Sequence, residues 1–381
     1  MRRLITVLVS LFTVVGLSAP AHADITPVTK TGWSRWAGDD RYATAVEVSK
    51  ATFAPGVGTV YVVLGDDFPD ALAAGPVAGA NLAPILLTRR DGVPSVVEAE
   101  LARLEPGLVI VVGGTSVITD ATMAALEAAS GASAVRFAGA DRFATAVRLA
   151  HAMEDVQTAY IASGESFADA LAAGPAAGSE YAPLLLTRKS SLPTETRNYL
   201  TDRPLTKIVI AGGTAAVSKS VEDTIRDLVP SATIVRHAGS DRYDTARLVA
   251  LAAWPARAET VFYAPGADFP DALAATPAAM VNAAPMLLTT PTCHPFETVV
   301  ATGELNPSSQ VAIGGTKATH SGDTTCGPAP AYPFTRDLNC ADFSSQASAQ
   351  RWFDYWYPRV GDVMGLDRDN DGKVCEVWPP R

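Results

Sequence analysis

Positively charged and metal-ligating side chains are scarce in this sequence. Lys and Arg number 30 against 40 Asp and Glu, and the resulting net charge of -10 disfavours nucleic-acid binding through a globally basic surface. With five His and four Cys in 381 residues, a catalytic centre built on several histidines is not expected. Because 48% of the residues are nevertheless hydrophobic, the chain can form the cores of several folded domains.

The first 23 residues have the three parts of an export signal. Basic Arg2 and Arg3 precede an apolar run over residues 4–17, and small residues that end in Ala-His-Ala at 21–23 follow it. This apolar run is short for an anchor helix, and no later run is long and apolar enough to cross a bilayer. We therefore expect cleavage before Asp24, a secreted mature protein and no membrane span after the signal is removed.

All four cysteines lie in the last quarter of the chain, and none forms a Cys-x-x-Cys pair of the kind used for zinc or redox chemistry. In the oxidising environment that export implies, disulfide bonds are expected. Four cysteines allow three pairings. We favour the two that are local in sequence, Cys293 with Cys326 and Cys340 with Cys375.

Four motifs recur three times along the chain, about 100 residues apart. The arginines of Gly-x-x-Arg-aromatic-x-Thr-Ala are Arg41, Arg142 and Arg242, and the aspartates of Phe-x-Asp-Ala are Asp70, Asp169 and Asp271. In every copy, a Leu-Leu-Thr motif ends 18 residues after that aspartate and a Gly-Gly-Thr motif begins 43 residues after it. Identical spacings in three copies predict three homologous domains.

The copies and the segments around them give the expected domain boundaries. These are a signal peptide at 1–23, repeats at 24–137, 138–237 and 238–326, a Pro- and Gly-rich linker at 327–333, and a different C-terminal domain at 334–381. In the first repeat, strands rich in Val, Leu and Ile are predicted at 60–64, 84–88, 108–112 and 134–137, and helices at 68–79, 95–104 and 120–130. This alternation predicts an α/β fold with a parallel sheet covered on both faces. The third copy lacks its last helix and strand, and a disulfide between Cys293 and Cys326 could brace that end.

Three of the motifs each have a structural and a functional interpretation. The Phe-x-Asp-Ala aspartate fits a capping box at a helix start, with a ligand role as the alternative. The arginine follows an expected N-cap aspartate, at the helix end where the dipole disfavours positive charge. It is explained either by an ion pair within its own repeat or by contact with an anionic polymer. Gly-Gly-Thr fits a tight turn, or a ligand loop at a strand end.

Together the four motifs resemble the cell wall-binding repeat 2 family over roughly residues 36–320. The resemblance implies three similar modules in a pseudo-threefold arrangement that bind non-covalently to an anionic secondary polymer of the cell wall. It also implies that the Leu-Leu motif and nearby basic residues contribute to the polymer site. With the three motif arginines, the candidate residues are then Leu86, Leu87, Leu185, Leu186, Leu287 and Leu288.

The C-terminal segment carries Asp-x-Asp-x-Asp-Gly, the start of a calcium-binding loop, although its acid falls at position ten instead of twelve. With Asn-Cys-Ala-Asp-Phe at 339–343, the segment resembles the excalibur extracellular calcium-binding module. A bare acidic turn is the alternative. The expected Ca²⁺ ligands are Asp367, Asp369, Asp371, Lys373 (through its carbonyl) and Glu376.

Enzymatic activity is not expected. Repeats of this family occur on wall hydrolases, so a peptidoglycan hydrolase or its modifier subunit is one alternative, but the four histidines after the signal peptide show no paired spacing for a zinc amidase. A surface adhesin is the other alternative. The sequence thus predicts a secreted, non-enzymatic protein of the cell wall or cell surface.

Overall fold

The computed structural model describes residues 24–67 and 70–326. In the C-terminal segment it describes only Cys340, Gln346, Phe353, Leu366 and residues 373–375. The predicted signal peptide and the four predicted calcium-binding carboxylates therefore lie outside the described residues.

Twelve strands and eleven helices, numbered in chain order, alternate along the described chain. The strands are β1 Gly32–Trp36, β2 Thr59–Leu64, β3 Ile85–Thr88, β4 Leu108–Val112, β5 Ala134–Phe137, β6 Thr158–Ser163, β7 Leu184–Thr187, β8 Lys207–Ala211, β9 Thr233–His237, β10 Thr260–Pro265, β11 Met286–Thr289 and β12 Ser309–Ile313. The helices are α1 Arg41–Thr52, α2 Ala74–Ala80, α3 Ser95–Leu104, α4 Asp120–Ser130, α5 Arg142–Ala150, α6 Ala168–Ser179, α7 Thr194–Asp202, α8 Lys219–Leu228, α9 Arg242–Ala253, α10 Pro270–Val281 and α11 Phe296–Leu305.

The strands form three parallel four-stranded sheets, which confirms the predicted α/β fold class. Their orders are β3-β2-β4-β5, β7-β6-β8-β9 and β1-β12-β10-β11. The central strands β2, β6 and β10 are almost entirely buried, as expected where helices cover both faces of a sheet.

The first strand completes the third sheet. β1 pairs in parallel with β12, from Gly32 opposite Ser309 to Trp36 opposite Ile313. It occupies the place that β5 and β9 take in the other sheets, so it supplies the strand that the third copy lacks. The chain thereby closes into a ring, with its first strand inside its last module.

β1 is held by its side chains as well as by strand pairing. Arg35 donates to the carbonyls of Gly314 and Thr319 and to the hydroxyl of Ser321. Trp33 stacks on buried His294, with ring centroids 5.4 Å apart. The equivalent arginines of the other sheets make the same first contact, from Arg136 to Gly113 O and from Arg236 to Gly212 O, at 2.8 Å each.

Helices α2, α6 and α10, one from each repeat, pack against one another. Small residues allow this close approach. A Cβ atom on Gly75 or Gly174 would lie 2.6 or 3.0 Å from Cγ2 of Thr276, the residue at their position in the third copy. Met280 of the third copy similarly fills the space beside Gly79 and Gly178. The three modules therefore meet at a common centre, as a pseudo-threefold arrangement requires.

The predicted helix starts are partly confirmed. Asp40, Asp141 and Asp241 are N-caps whose side chains accept backbone N–H groups at 2.8–3.0 Å. The capping boxes predicted at Phe-x-Asp-Ala are wrong for α6 and α10, because their N-cap residues, Phe167 and Phe269, have no side-chain cap bond. The aspartates of this motif point to the neighbouring repeat instead.

Both disulfides form as predicted, Cys293 with Cys326 and Cys340 with Cys375. The first ties the loop after β11 to the end of the third repeat. The second joins two described positions of the C-terminal segment, one near its start and one within the predicted calcium-binding loop. Both ends of that segment are thus covalently linked.

Candidate functional site

The motif aspartates connect each repeat to the next. Each carboxyl lies beside the motif threonine of the following repeat, whose hydroxyl favours the charged form and so lowers the carboxyl's pKa, in the pairs Asp70 with Thr145, Asp169 with Thr245 and Asp271 with Thr44. The arginine of that same following repeat adds electrostatic attraction. The third pair joins the last repeat to the first, so these contacts run around the whole ring.

The first glycine of Gly-Gly-Thr is required at the same junction. Gly113, Gly212 and Gly314 have φ angles of +107°, +113° and +94°, which favour glycine. A Cβ atom on Gly113 would also lie 3.1 Å from Oδ2 of Asp70, and the other two glycines abut their own repeats' aspartates still more closely. The motif therefore acts as a tight turn that leaves room for the junction carboxylate.

The three motif arginines lie between modules. Their Nη1 atoms donate to the glycine carbonyl that follows β2, β6 or β10, at 2.6 Å from Arg41 to Gly65 and 2.7 Å from Arg142 to Gly164. Arg41 also approaches Asp268 of the third repeat at 3.8 Å and lies over the Phe269 ring. These contacts offset the unfavourable helix-dipole position. The ion-pair interpretation predicted a partner aspartate in the arginine's own repeat. The motif aspartate that attracts each arginine belongs instead to the preceding repeat.

Burial raises the pKa of all three junction carboxyls, and that of Asp271 reaches about 6. Asp268 adds to this increase, while Arg41 and Thr44 oppose it. The folded state therefore holds the Asp271 proton more tightly than an unfolded chain, whose Asp pKa is about 3.9. The stability contributed by this group increases as the pH falls from 6 towards 4, and is lost as the pH rises through 6.

Asp271→Asn is expected to stabilise the protein at pH 8 by up to about 3 kcal/mol, because the amide is uncharged and can still accept from Thr44. The difference should shrink towards zero at pH 5, where wild-type Asp271 is protonated. Thermal melts at both pH values test this, with the exposed Asp91→Asn as the control. An equal difference in melting temperature at pH 8 and pH 5 would contradict the assignment.

The six leucines of the Leu-Leu-Thr motif are fully buried in β3, β7 and β11. Their side chains form part of the core and present no surface to a polymer in this structure. Their packing holds β3, β7 and β11 in place, and the loop that follows Leu-Leu-Thr begins at the end of each of these strands. Polymer contact at these leucines remains a prediction of the family resemblance.

The loops that follow these strands carry a feature that the sequence analysis missed. Arg89 lies 4.9 Å over the Tyr42 ring in the first repeat, and Arg188 lies 4.5 Å over the Phe143 ring in the second. Both arginines are exposed. We call these two arginine-aromatic pairs the cationic platforms. The basic pairs Arg89-Arg90 and Arg188-Lys189, directly after Leu-Leu-Thr, were the available signal.

A cleft of about 260 Å³ opens at the junction of the first two repeats. It lies between the carboxyl ends of β2 and β4, where the strand order changes direction, which is the usual ligand position in such sheets. Its polar lining includes Asp67, Asp70, Ser116, Asp141 and Arg142. With three carboxylates around one guanidinium, the cleft suits hydroxyl groups better than it suits anions.

The described residues contain no group of three or more His, Cys, Asp or Glu side chains that could hold a metal ion. Of the predicted Ca²⁺ ligands only Lys373 is described, and its side chain is exposed. Over the same described residues, no helix is long and apolar enough to cross a membrane.

Two solved structures share this architecture. Cwp6 from Clostridium difficile matches with a TM-score of 0.70 and 26% identity, over 80% of this chain and 52% of that chain. Cwp8 from the same organism matches with a TM-score of 0.68 and 31% identity, over 76% of this chain and 50% of that chain.

Two curated relatives come from Bacillus subtilis (strain 168). The N-acetylmuramoyl-L-alanine amidase LytC is 31% identical over 318 residues, and the amidase enhancer is 31% identical over 237 residues. These matches cover 84% and 62% of this chain, but only 61% and 32% of the two relatives.

A family model described as cell wall binding domain 2 matches three consecutive segments, residues 35–123, 136–222 and 236–322. Each segment begins at the arginine of β1, β5 or β9, so it contains the last two residues of that strand. Because these segments cover more than half of the chain, this protein belongs to the cell wall binding domain 2 family, whose repeats support non-covalent attachment to the cell wall.

Proposed function

We propose that this protein is a secreted, non-enzymatic component of the cell surface whose repeats bind an anionic wall polymer. The observation that carries the proposal is the family match over three copies, together with exposed cations on a chain of net charge -10. On such a chain, anion binding must come from locally concentrated guanidinium groups. The two cationic platforms supply that concentration.

The chemistry of the platforms suits phosphate or carboxylate groups. A ring face beneath a guanidinium orients it and leaves its N–H donors free at the edge. Charge-assisted bonds from such donors are stronger than bonds between neutral groups. No carboxylate of the described residues forms an ion pair with Arg89, and Arg188 has only a 3.5 Å contact to Asp141.

Cell fractionation tests the attachment. The protein should remain with washed wall material and be released intact by low pH or a chaotrope, without digestion of the wall. Resistance to both treatments would indicate a covalent link, and recovery entirely in the culture medium would exclude attachment.

A helper role for a wall hydrolase is the second candidate, favoured by the names of the two curated relatives. Purified protein alone should not clear a suspension of peptidoglycan. Clearing by the protein alone would instead establish an enzyme, whereas faster clearing when it is added to an amidase would favour the helper role.

We further propose that the C-terminal domain binds Ca²⁺ through the loop at residues 367–376, with Cys340–Cys375 bracing a small core. Calcium at about 0.1–1 mM, the weak extracellular range, should raise the melting temperature of this domain in the full chain. Asp369→Ala with Asp371→Ala should remove the shift, while Asp342→Asn, outside the loop, should keep it. No shift at millimolar calcium would exclude the site.

A further inference from the structure

The loop after Leu-Leu-Thr differs between the repeats. It begins with Arg89-Arg90 in the first and Arg188-Lys189 in the second, and all four residues are exposed. In the third repeat the same positions are Thr290 and Pro291. The third loop therefore has no cation where the other two have a pair.

The aromatic residue beneath the platform is present in all three repeats, but only two of them place a cation on it. Tyr243 of the third repeat corresponds to Tyr42 and Phe143. With Thr290 at the position of Arg89 and Arg188, no loop arginine lies over the Tyr243 ring in the described structure.

The third loop is also covered by a segment that the others do not have. In the first two repeats, the loop carbonyls of Arg90 and Lys189 accept from the N–H groups of Thr119 and Ser218 at 3.1 and 2.9 Å, and these two residues are the N-caps of α4 and α8. In the third repeat, His320 donates to Thr290 O at 2.9 Å, but no helix follows it in the described chain.

Residues 320–326, which we call the strap, turn back along the loop instead. His294 N–H donates to Thr324 O, and Cys326 N–H donates to His294 O, at 2.8 Å each. The disulfide between Cys293 and Cys326 makes the contact covalent. The strap also supplies Ser321, which bonds to Arg35 of β1, and Asp323, which lies 3.4 Å from Nε1 of Trp33.

We infer that the three repeats have different functions. The first two bind the anionic groups of the polymer, through Arg89, Arg90, Arg188 and Lys189, while the third has exchanged its polymer site for the strap that holds β1 and closes the ring. This inference rests on the proposed function and sets the number of anion-binding sites at two. The ligand groups are phosphates or carboxylates that repeat along a polymer.

Sedimentation of the full-length protein with purified walls tests this division. Arg89→Gln with Arg90→Gln should weaken binding about tenfold or more, because loss of one of two linked sites removes avidity. Arg188→Gln with Lys189→Gln should do the same, and the combined fourfold variant should fall to background. The control is Lys317→Gln, which removes an exposed cation of the third repeat and should change binding less than about twofold.

Thermal melts should show that all of these variants fold normally, because the substituted side chains are exposed. Strong wall binding by the fourfold variant would overturn the inference but not the proposed wall attachment. The same holds if Lys317→Gln weakens binding as much as either double variant does. Failure of the wild-type protein to sediment would overturn the proposed function, and this inference with it.

On walls treated with hydrofluoric acid, which removes phosphodiester-linked polymers, loss of wild-type binding assigns phosphate as the bound group and retention of binding assigns carboxylate. With either result, the inference of two sites is supported if the fourfold variant fails to bind those walls that bind the wild-type protein.

Discussion

Deletion of residues 24–37 is expected to leave a chain that is insoluble, or that melts at least about 10 °C below the full-length protein. The deletion removes β1, so β12 becomes an open edge with unpaired backbone groups. It also removes Arg35, which leaves the partly buried carbonyls of Gly314 and Thr319 without that donor. Several kcal/mol of stability should be lost, which would show as reduced soluble yield and a lower melting temperature.

A circular permutant gives the matched control. A chain that starts at residue 38 and carries residues 24–37 after Arg381, joined by a flexible linker, contains the same residues in a different order. Because β1 contributes by its position and not by its connection to α1, the permutant should melt close to the wild type. A deletion variant as stable as the wild type would show that the third module does not depend on β1.

Replacement of Arg41, Arg142 and Arg242 by Gln should lower the free energy of unfolding by about 3–5 kcal/mol in total. Each guanidinium makes a charge-assisted bond to a glycine carbonyl and attracts the junction aspartate of the preceding repeat, and such bonds contribute about 1.5–3 kcal/mol before exposure reduces them. Urea denaturation of the triple variant measures the loss.

The control for the triple variant is Arg226→Gln with Arg257→Gln. The side chains of these two arginines are 54% and 47% exposed, and each forms an ion pair that the substitution breaks. Each control substitution should lower the free energy of unfolding by less than about 1 kcal/mol. If the triple variant kept wild-type stability and lost only wall binding, the arginines would be polymer ligands and the module junctions would be held by other contacts.

The sequence predicted most of the fold because its strongest signals are local. The helices Ser95–Leu104 and Asp120–Ser130 and the strands Leu108–Val112 and Ala134–Phe137 have the predicted bounds, since capping residues and apolar periodicity mark them within a few residues. The helix predicted from residue 68 begins at Ala74 in the first repeat.

The features that the sequence analysis missed depend on contacts between distant residues. β1 is short, and its partner lies more than 270 residues away, so no local pattern marks its place in the third sheet. The signal that could have shown it is Arg-x-Ala-Gly, which begins at Arg35, Arg136 and Arg236 before each repeat. The Phe-x-Asp-Ala aspartate looked like a helix cap because its real partner, a threonine of the next repeat, is equally remote.

An anionic wall polymer is expected to retain this protein, and sedimentation with purified walls over a salt series measures that retention most directly. We expect the bound fraction to fall steeply as salt rises from about 0.05 to 0.5 M, because exposed charge-assisted contacts are screened as the Debye length shortens. We also expect walls stripped of their anionic polymers to bind almost none of the protein at any salt concentration. Equal binding to stripped and intact walls, unchanged across the salt series, would show that no anionic polymer retains the protein.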